Sequence, residues 1–378
     1  MRILVLSHEY PPVGGGGGRV AQDLNQGFYQ HGHEVKLLTS YLKGLKRTEV
    51  YPNYEVIRVS SLRKYAYRAT LVDMAAYIVS SYVVGGRLIK KWRPDIIQGH
   101  FAVPAGAAAH MLAKKFAIPY FLTAHLGDIP GGVPEKTDKW FRLFYPFTKK
   151  IWEDADRIIT VSSYTQELAK RSYPGIEPEL IFNGVDIQEI KPDHLEVHDP
   201  IQVVFAGRFV KQKNPILIVE VLNQLKHLEW KCVMMGDGPL KMSVEQRIQD
   251  YGLQQRFSLP GWLEPQQVLH IYKESDILFM PSLSEGLPIA GVQAIAMGLV
   301  PVISNVGGCP DLVDPNHTGF LIEAGDLPAF INAIRTLLTN KALLREFKEA
   351  NLNWARKFDL RAVIAQYEKV MQEIISTH

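Results

Sequence analysis

Short apolar runs and amphipathic helical spacings alternate along the chain, and the first of these repeats is complete within forty residues. Residues 3–7 (ILVLS) form an apolar run, followed by a glycine-rich loop, a helix over about 20–31 and a second apolar run, EVKLLTS. Buried strands that alternate with amphipathic helices indicate βαβ units and a parallel sheet. The pattern therefore predicts an α/β protein.

The same alternation continues through two halves of the chain, separated by a polar stretch. Helices are predicted over 71–91, 104–115 and about 135–153, and then IKPDHLEVHDP loses the periodicity. Its polarity and its two prolines are typical of a linker. The pattern restarts with the strand IQVVFAGR, so the sequence predicts two doubly wound domains, residues 1–190 and 191–358, with a cleft between them.

The stretch from Phe279 to Gly308 carries the clearest chemistry of the second half. An apolar strand is stopped by Pro281, a loop holds Glu285, and a helix ends at Gly298 before the next strand. Ligands of open parallel sheets bind beyond the carboxyl ends of the strands. A carboxylate at that edge suits the hydroxyls of a sugar or ribose, which donate hydrogen bonds to it.

Five consecutive glycines, Gly14 to Gly18, follow the first strand. Such a loop brings backbone N–H groups to a helix start and can cradle phosphate or let a sugar approach. The run matches neither G-x-G-x-x-G nor the P-loop. A flexible surface turn is the alternative interpretation.

Two histidines, His100 and His125, end neighbouring predicted strands of the first half. Strand ends of a parallel sheet meet at one edge, so both side chains are expected to point into the same cleft. His125 is followed by Leu-Gly-Asp in a loop and is the better candidate for a functional role. A packed core histidine is the alternative for each.

Composition and charge exclude several classes. Apolar residues make up 47% of the 378 residues and charged residues 21%, as in soluble globular proteins. The apolar segment near 74–86 is too short to span a bilayer, and two cysteines provide no disulfide framework, which favours the cytoplasm. Residues 1–190 have a net charge of +6 and the remainder −3. This asymmetry hints at an anionic partner for the first half, other than nucleic acid. An ordinary scatter of surface lysines is the alternative.

Residues 136–152 mix lysines with aromatic residues, including Trp140, Phe141 and Trp152. That mixture is compatible with peripheral association at the inner face of a membrane. A helix that packs its aromatic residues inward and its lysines outward is the simpler interpretation.

Two further features favour a structural interpretation. Cys309 is predicted at a helix start, where a lowered pKa is possible, but a buried thiol is the simpler interpretation. Asp154 and Asp156 form a D-x-D sequence before a buried strand, and no metal site is expected there.

The end of the first domain, the segments GRFVKQKN and GDGP, and the stretch 279–308 together resemble the retaining glycosyltransferases of family 4, with the GT-B fold. The resemblance covers essentially the whole chain. It implies two Rossmann-like domains, with a sugar nucleotide held mainly by the second. It also implies that the final helix, in 359–378, packs back towards the first domain.

The resemblance assigns a catalytic set of four residues. Arg208 and Lys213 match the cations that neutralise the donor diphosphate. Glu285 matches the first acid of the family's Glu-x7-Glu signature, and His125 matches the histidine beside the transferred sugar. The same resemblance implies further donor-binding residues: Gly15, Gly16, Gly17, Gly207, Asp237, Trp262, Leu263, Gly286, Leu287, Pro288, Ile289 and Gln293.

Gln293 is the one departure from the signature, since the family's second acid would stand there. A neutral oxygen accepts weaker hydrogen bonds from the ribose than a carboxylate, by about 1 kcal/mol. Nucleotide affinity is then expected to fall several-fold.

The function implied by the resemblance is transfer of a hexose from a nucleoside-diphosphate sugar to a hydroxyl of a glycan, a lipid-linked sugar or a small molecule. Retention is expected, with no metal or other cofactor. A phosphorylase would require pyridoxal phosphate on a lysine that nothing marks. A nucleotide-sugar epimerase and a non-catalytic sugar-nucleotide-binding subunit remain as alternatives, and the oligomeric state is open.

Overall fold

The computed structural model describes residues 1–132, 134–192 and 194–378, with the side chains of 134–143 left out. The chain forms two compact units: unit 1 contains Met1–Gly184 and Leu360–His378, and unit 2 contains Val185–Asp359. Each unit is built on a parallel sheet. The predicted pair of parallel-sheet α/β domains is confirmed.

The described strands of unit 1 form one sheet in the order β3-β4-β2-β1-β5-β6-β7-β8. Their neighbours pair in parallel except for β3 with β4. The strands are β1 (Arg2–Ser7), β2 (Glu34–Ser40), β3 (Thr48–Tyr51), β4 (Tyr54–Val59), β5 (Ile96–His100), β6 (Tyr120–Ala124), β7 (Arg157–Thr160) and β8 (Glu179–Leu180).

The helices of the first 184 residues are α1 (Gly16–Gln30), α2 (Leu71–Trp92), α3 (Ala107–Phe116), α4 (Pro134–Glu153) and α5 (Ser163–Ser172). Two predicted boundaries are wrong. The first helix was expected at about residue 20, but three glycines of the run already form its first turn. The helix expected from 104 starts at Ala107, after a π-turn over Ala102–Gly106.

The described strands of unit 2 form a parallel sheet in the order β11-β10-β9-β12-β13-β14. The strands are β9 (Ile201–Ala206), β10 (Trp230–Met235), β11 (Phe257–Gly261), β12 (Ile277–Met280), β13 (Val300–Ser304) and β14 (Phe320–Ile322). The helices are α6 (Ile187–Ile190), α7 (Pro215–Gln224), α8 (Lys241–Asp250), α9 (Pro265–Lys273), α10 (Ile289–Ala296), α11 (Leu327–Thr339) and α12 (Lys341–Trp354).

Strand β12 lies inside the sheet of unit 2, and all of its residues are buried. Phe279 packs on Phe330 of α11 with ring centroids 5.4 Å apart. After α10, Gly298 has φ +77°, the left-handed conformation predicted for a helix stop. The strand and the helix thus fix both ends of the loop that carries Glu285.

The last helix, α13 (Leu360–Thr377), packs within unit 1 against α1. Tyr367 is buried there, with its ring 6.2 Å from that of Phe28. The Glu368 carboxylate accepts hydrogen bonds from the His31 ring at 3.0 Å and from the His33 ring at 2.8 Å. Unit 1 is therefore closed by a segment that follows unit 2 in the chain.

Candidate active site

Two loops at the carboxyl ends of β9 and β10 are fastened to each other through their backbones. The Gly207 N–H donates to the Met235 carbonyl at 3.0 Å, and the Phe209 N–H donates to the Asp237 carbonyl at 2.8 Å. At Gly236, φ is +133° and a Cβ atom would lie 2.0 Å from the Gly207 carbonyl oxygen. Only glycine fits there, so the predicted segments GRFVKQKN and GDGP form one rigid edge of the sheet.

The Lys213 ammonium pairs with the Glu285 carboxylate at this edge. The Lys213 side chain is 17% exposed and that of Glu285 7%. Gln212 joins the same two loops through two hydrogen bonds. Its side-chain amide donates to the Ser284 carbonyl at 2.9 Å, and its backbone carbonyl accepts from the Leu283 N–H at 2.7 Å. A cation and a carboxylate predicted from separate motifs are thus brought into direct contact.

A turn after β13 supports Glu285 from behind and was not foreseen from the sequence. Gly307 has φ +54°, and a Cβ atom there would lie 1.8 Å from the Glu285 carbonyl oxygen. The Gly308 N–H donates to the Gly286 carbonyl at 3.0 Å. The pair of glycines after a buried strand was the available signal. Of the predicted residues that follow, Leu287 and Pro288 are buried, and Ile289 begins α10.

Of the other predicted residues of unit 2, Arg208, Asp237 and Trp262 follow the carboxyl ends of β9, β10 and β11 and are exposed. Trp262 is 69% exposed after β11, and Leu263 beside it is half-buried. Arg208 is exposed, and the Asp237 carboxylate accepts the Gly238 N–H at 2.6 Å. Gln293 is half-buried in the middle of α10.

In unit 1 the structure brings His100 and His125 together, with ring centroids 6.0 Å apart. Phe101 lies against His125 at 4.5 Å and against His8 at 4.7 Å. Its φ of +70° is a strained conformation for a side chain of this size. Strain held at a cluster of buried rings is typical of functional sites.

The protonation state of His125 follows from its surroundings. Burial, opposed by the Glu9 carboxylate, lowers the pKa of His125 from 6.5 to about 4, so the ring is neutral at pH 7. The Asp128 N–H donates to the His125 backbone carbonyl at 3.0 Å, and Nε2 of the His125 ring has no partner among the described residues. Nε2 is therefore a ring nitrogen that a ligand could bind.

Two further ionisable groups, Asp128 and His100, lie beside His125. The Asp128 carboxylate accepts the His125 backbone N–H at 2.8 Å, and burial raises the pKa of Asp128 well above its usual value. Burial, followed by the charge of His125, holds the pKa of His100 well below 6.5. Among the described residues, Nε2 of His125, Nδ1 of His8 and both ring nitrogens of His100 have no hydrogen-bond partner.

Glu9 and Phe101 fix the glycine run and were not predicted as site residues. The Gly15 N–H donates to the Glu9 carboxylate at 3.0 Å, so an anion of the chain itself occupies this amide. Gly16 and Gly17 belong to the first turn of α1, and a Cβ atom on Gly17 would lie 2.4 Å from the Phe101 ring. The available signal in the sequence was that Glu9 directly follows His8 and Phe101 directly follows His100, at the ends of two strands.

Two remaining expectations concern Cys309 and the D-x-D sequence of Asp154 and Asp156. Burial raises the pKa of the Cys309 thiol well above its usual value, so the thiol is buried and not activated. Asp154 bonds to His110 at 2.8 Å, and Asp156 accepts the Tyr120 N–H at 2.8 Å.

The aromatic segment 136–152 is mixed. Trp152 is buried against Tyr173, whereas Phe144 and Phe147 are exposed. The predictions on the side chains of Trp140 and Phe141 lie outside the described residues.

Two families match this chain. The family described as Glycosyltransferase Family 4 matches residues 14–189, and that described as Glycosyl transferases group 1 matches residues 186–354. The fold and these matches define a GT-B glycosyltransferase. The chain belongs to the family 4 type of these enzymes.

Proteins of similar length resemble this chain in sequence or in fold. An uncharacterized glycosyltransferase of Methanocaldococcus jannaschii is 24% identical over 99% of both chains. The structure of sucrose-phosphate synthase from Thermosynechococcus elongatus superposes with a TM-score of 0.87, at 21% identity and full coverage of both chains. Anabaena HepE, solved in complex with UDP and glucose, has a TM-score of 0.76 at 18% identity, covering 99% of this chain and 100% of its own.

Proposed function

We propose that this glycosyltransferase moves a hexose from a nucleoside-diphosphate sugar to a hydroxyl acceptor, with retention of configuration and without a metal ion. The contact of Lys213 with Glu285 carries the proposal. A donor of this kind has a diphosphate, which needs a cation, next to a sugar ring, which offers hydroxyl donors. The two side chains at the carboxyl edge of unit 2 match those two needs.

The donor class has independent support. Anabaena HepE, which shares the fold, was solved with UDP and glucose. In this chain Trp262 and Leu263 follow β11 as candidates to border the base, and Gln293 on α10 is the candidate for the ribose. The bonds to the ribose are expected to be weak because Gln293 is uncharged.

Departure of the nucleoside diphosphate leaves negative charge on its terminal phosphate. Arg208 and Lys213 would neutralise that charge, so the positive charge that a metal ion would supply is provided by side chains. Glu285 would accept hydrogen bonds from the sugar hydroxyls. In unit 1, His125 is proposed to bind a substrate hydroxyl through Nε2, which has no partner among the described residues.

Retention is proposed to follow the same-face route. The acceptor oxygen attacks the anomeric carbon from the side that the phosphate leaves, and the departing phosphate oxygen takes the acceptor proton. Glu285 is assigned to hydroxyl binding and not to a covalent sugar intermediate. The acceptor is a sugar, lipid-linked sugar or small molecule with a free hydroxyl, and the two buried free cysteines support a reducing, cytoplasmic setting.

The test is a transfer and donor-hydrolysis screen with common nucleotide sugars, run with and without EDTA. We expect nucleoside diphosphate release that EDTA leaves unchanged and an NMR spectrum with the anomeric configuration of the donor. Lys213→Ala and Glu285→Gln should each lower kcat/KM about 100-fold, as removal of a preorganised charge does.

Lys211→Ala is the matched control, because Lys211 is an exposed lysine two positions before Lys213. Its kcat/KM should stay within about twofold of the wild-type value, the range of an exposed side chain without a role. An inverted product would contradict retention, and full activity of both site variants would contradict the site. An epimerised nucleotide sugar without transfer would replace the proposal with epimerase activity.

A further inference from the structure

The outer face of α2 is apolar where a surface helix is normally polar. Val72 and Val79 are each 64% exposed, and Val83 one turn further is also exposed. The intervals of seven and four residues place all three on one stripe, together with the exposed Ala75. The exposed apolar residues therefore form a continuous line along the helix and are not scattered singly.

The segment that leads into α2 extends this apolar surface. Leu62, Tyr65 and Tyr67 are exposed, Tyr67 by 63%. The two tyrosine rings lie 5.7 Å apart, and the Arg68 guanidinium lies 5.4 Å from the Tyr65 ring. Tyrosine has an apolar body and a polar tip, which suits the boundary between water and lipid.

Positive charge surrounds the apolar line. Residues 61–93 contain seven lysines and arginines and a single acid, a net charge of +6. That acid, Asp73, accepts the Thr70 N–H at 2.8 Å in the helix cap. The basic residues exposed at the two ends of the line are Lys64, Arg68, Arg87, Lys90, Lys91 and Arg93.

The inner face of α2 fixes the helix in unit 1. The Tyr77 hydroxyl donates to the Leu38 carbonyl at 2.8 Å, and a Cβ atom on Gly85 would lie 2.7 Å from Leu112. Among the described residues, α2 is the one helix whose length and composition would allow it to cross a membrane. Because its inner face is part of the core, it is suited to lie along a membrane and not to cross it.

We infer that the outer face of α2 and the segment 62–68 dock unit 1 on a lipid bilayer with anionic headgroups. An apolar stripe with tyrosines inserts at the level of the headgroups, and the basic rim binds the lipid phosphates. The charge decides between the possible occupants, since a second copy of this face would bring like charges together. This surface differs from the predicted segment 136–152.

The test uses the full chain and co-sedimentation with two kinds of vesicle, phosphatidylcholine alone and phosphatidylcholine mixed with phosphatidylglycerol. We expect binding to the mixed vesicles only, weakening as salt is added. The pair Lys90→Gln and Lys91→Gln should weaken binding about 30-fold, since each basic residue near the surface contributes about fivefold. Val79→Asn with Val83→Asn should weaken it at least about tenfold.

Controls outside this face match each change. Met242→Asn removes an exposed apolar residue of unit 2, and Lys226→Gln with Lys231→Gln removes two exposed charges there. These variants should bind like the wild type. Unchanged thermal unfolding midpoints of the α2 variants show that the fold is intact.

A direct readout uses the buried state of Cys232 and Cys309. In Val79→Cys an environment-sensitive dye labels the surface thiol, and its emission should shift to the blue when mixed vesicles are added. The same dye on Met242→Cys should not respond.

Three results would overturn the inference. Wild-type protein that fails to bind the mixed vesicles is the first, and equal binding by the α2 variants is the second. The third is a dimer in solution that Val79→Asn with Val83→Asn abolishes, which would assign the face to a second copy. None of these readouts depends on transferase activity, so they are independent of the proposed reaction.

Discussion

Glu285 and Lys213 neutralise each other in the structure, and this defines what a donor has to displace. The diphosphate would compete with the carboxylate for the ammonium, and the sugar hydroxyls would then compensate Glu285. Both charges keep a partner before and after binding, so neither is left buried and unpaired. This exchange of partners limits the desolvation free energy of a nearly buried carboxylate at this edge of the sheet.

Gln293 is the residue where restoring the family's acid should improve binding. We expect Gln293→Glu to tighten nucleoside-diphosphate binding several-fold, because a charged acceptor adds about 1 kcal/mol. Isothermal titration calorimetry measures the effect. Gln249→Glu, on the exposed side of α8, makes the same charge change and should leave affinity unchanged; equal affinity of both variants would show that Gln293 does not reach the ribose.

The sequence could supply the identities of the charged residues but not the contacts that orient them. Lys213 and Glu285 stand in recognisable motifs, so the residues were predicted, while their pairing depends on how two loops fold. Glu9 and Phe101 lack a motif. Their roles arise from a single hydrogen bond to Gly15 and from a strained φ, which only the tertiary packing determines.

At the scale of elements, periodicity identified most strands and helices, and the exceptions have physical causes. β3 is an exposed strand, so it has no run of buried residues to reveal it. The glycines of α1 have low helix propensity, but packing of the following residues draws them into its first turn. Packing therefore overrides local preference in α1, whereas β3 is missed because it is not packed in the core.

The turn at Gly307 offers a test of how loops hold Glu285. Gly307→Ala should destabilise unit 2 by several kcal/mol and lower kcat/KM, because the methyl group collides with the Glu285 carbonyl. Gly252→Ala is the matched control, with φ +66° against +54° and no atom within 4 Å of the added carbon. Gly252→Ala should lower the free energy of unfolding by only about 1 kcal/mol, the strain of an alanine in the left-handed conformation.

Urea denaturation and kinetics of the two variants measure these effects. Equal destabilisation would mean that backbone strain alone matters at Gly307. A normal kcat/KM in a destabilised Gly307→Ala protein would mean that the turn does not orient Glu285.

At the scale of the whole molecule, the buried histidines of unit 1 predict acid sensitivity. Burial lowers the pKa of His8 and of His125 from 6.5 to about 4, and it also holds the pKa of His100 well below 6.5. Between these values the unfolded chain binds protons that the folded chain excludes. Stability is therefore complete above pH 6.5 and is lost as the pH falls towards 4, by up to about 1.4 kcal/mol per pH unit for each ring.

Asp128 acts in the opposite sense, because a raised pKa lets the folded state bind a proton first. The informative quantity is therefore the difference between two proteins. Urea unfolding of His100→Gln from pH 7 to pH 4 should show a shallower loss of stability than the wild type, whatever its absolute stability. Parallel curves would show that the buried ring does not contribute.

The docking of α13 on unit 1 has a consequence for synthesis of the protein. Unit 2 lies between the two segments of unit 1, so translation at roughly 5 to 20 residues per second takes on the order of 10 to 35 s to pass through it. During that interval Tyr367 has not yet been synthesised, so it cannot pack on the Phe28 ring. Unit 1 thus begins folding first but is completed only after unit 2 has left the ribosome.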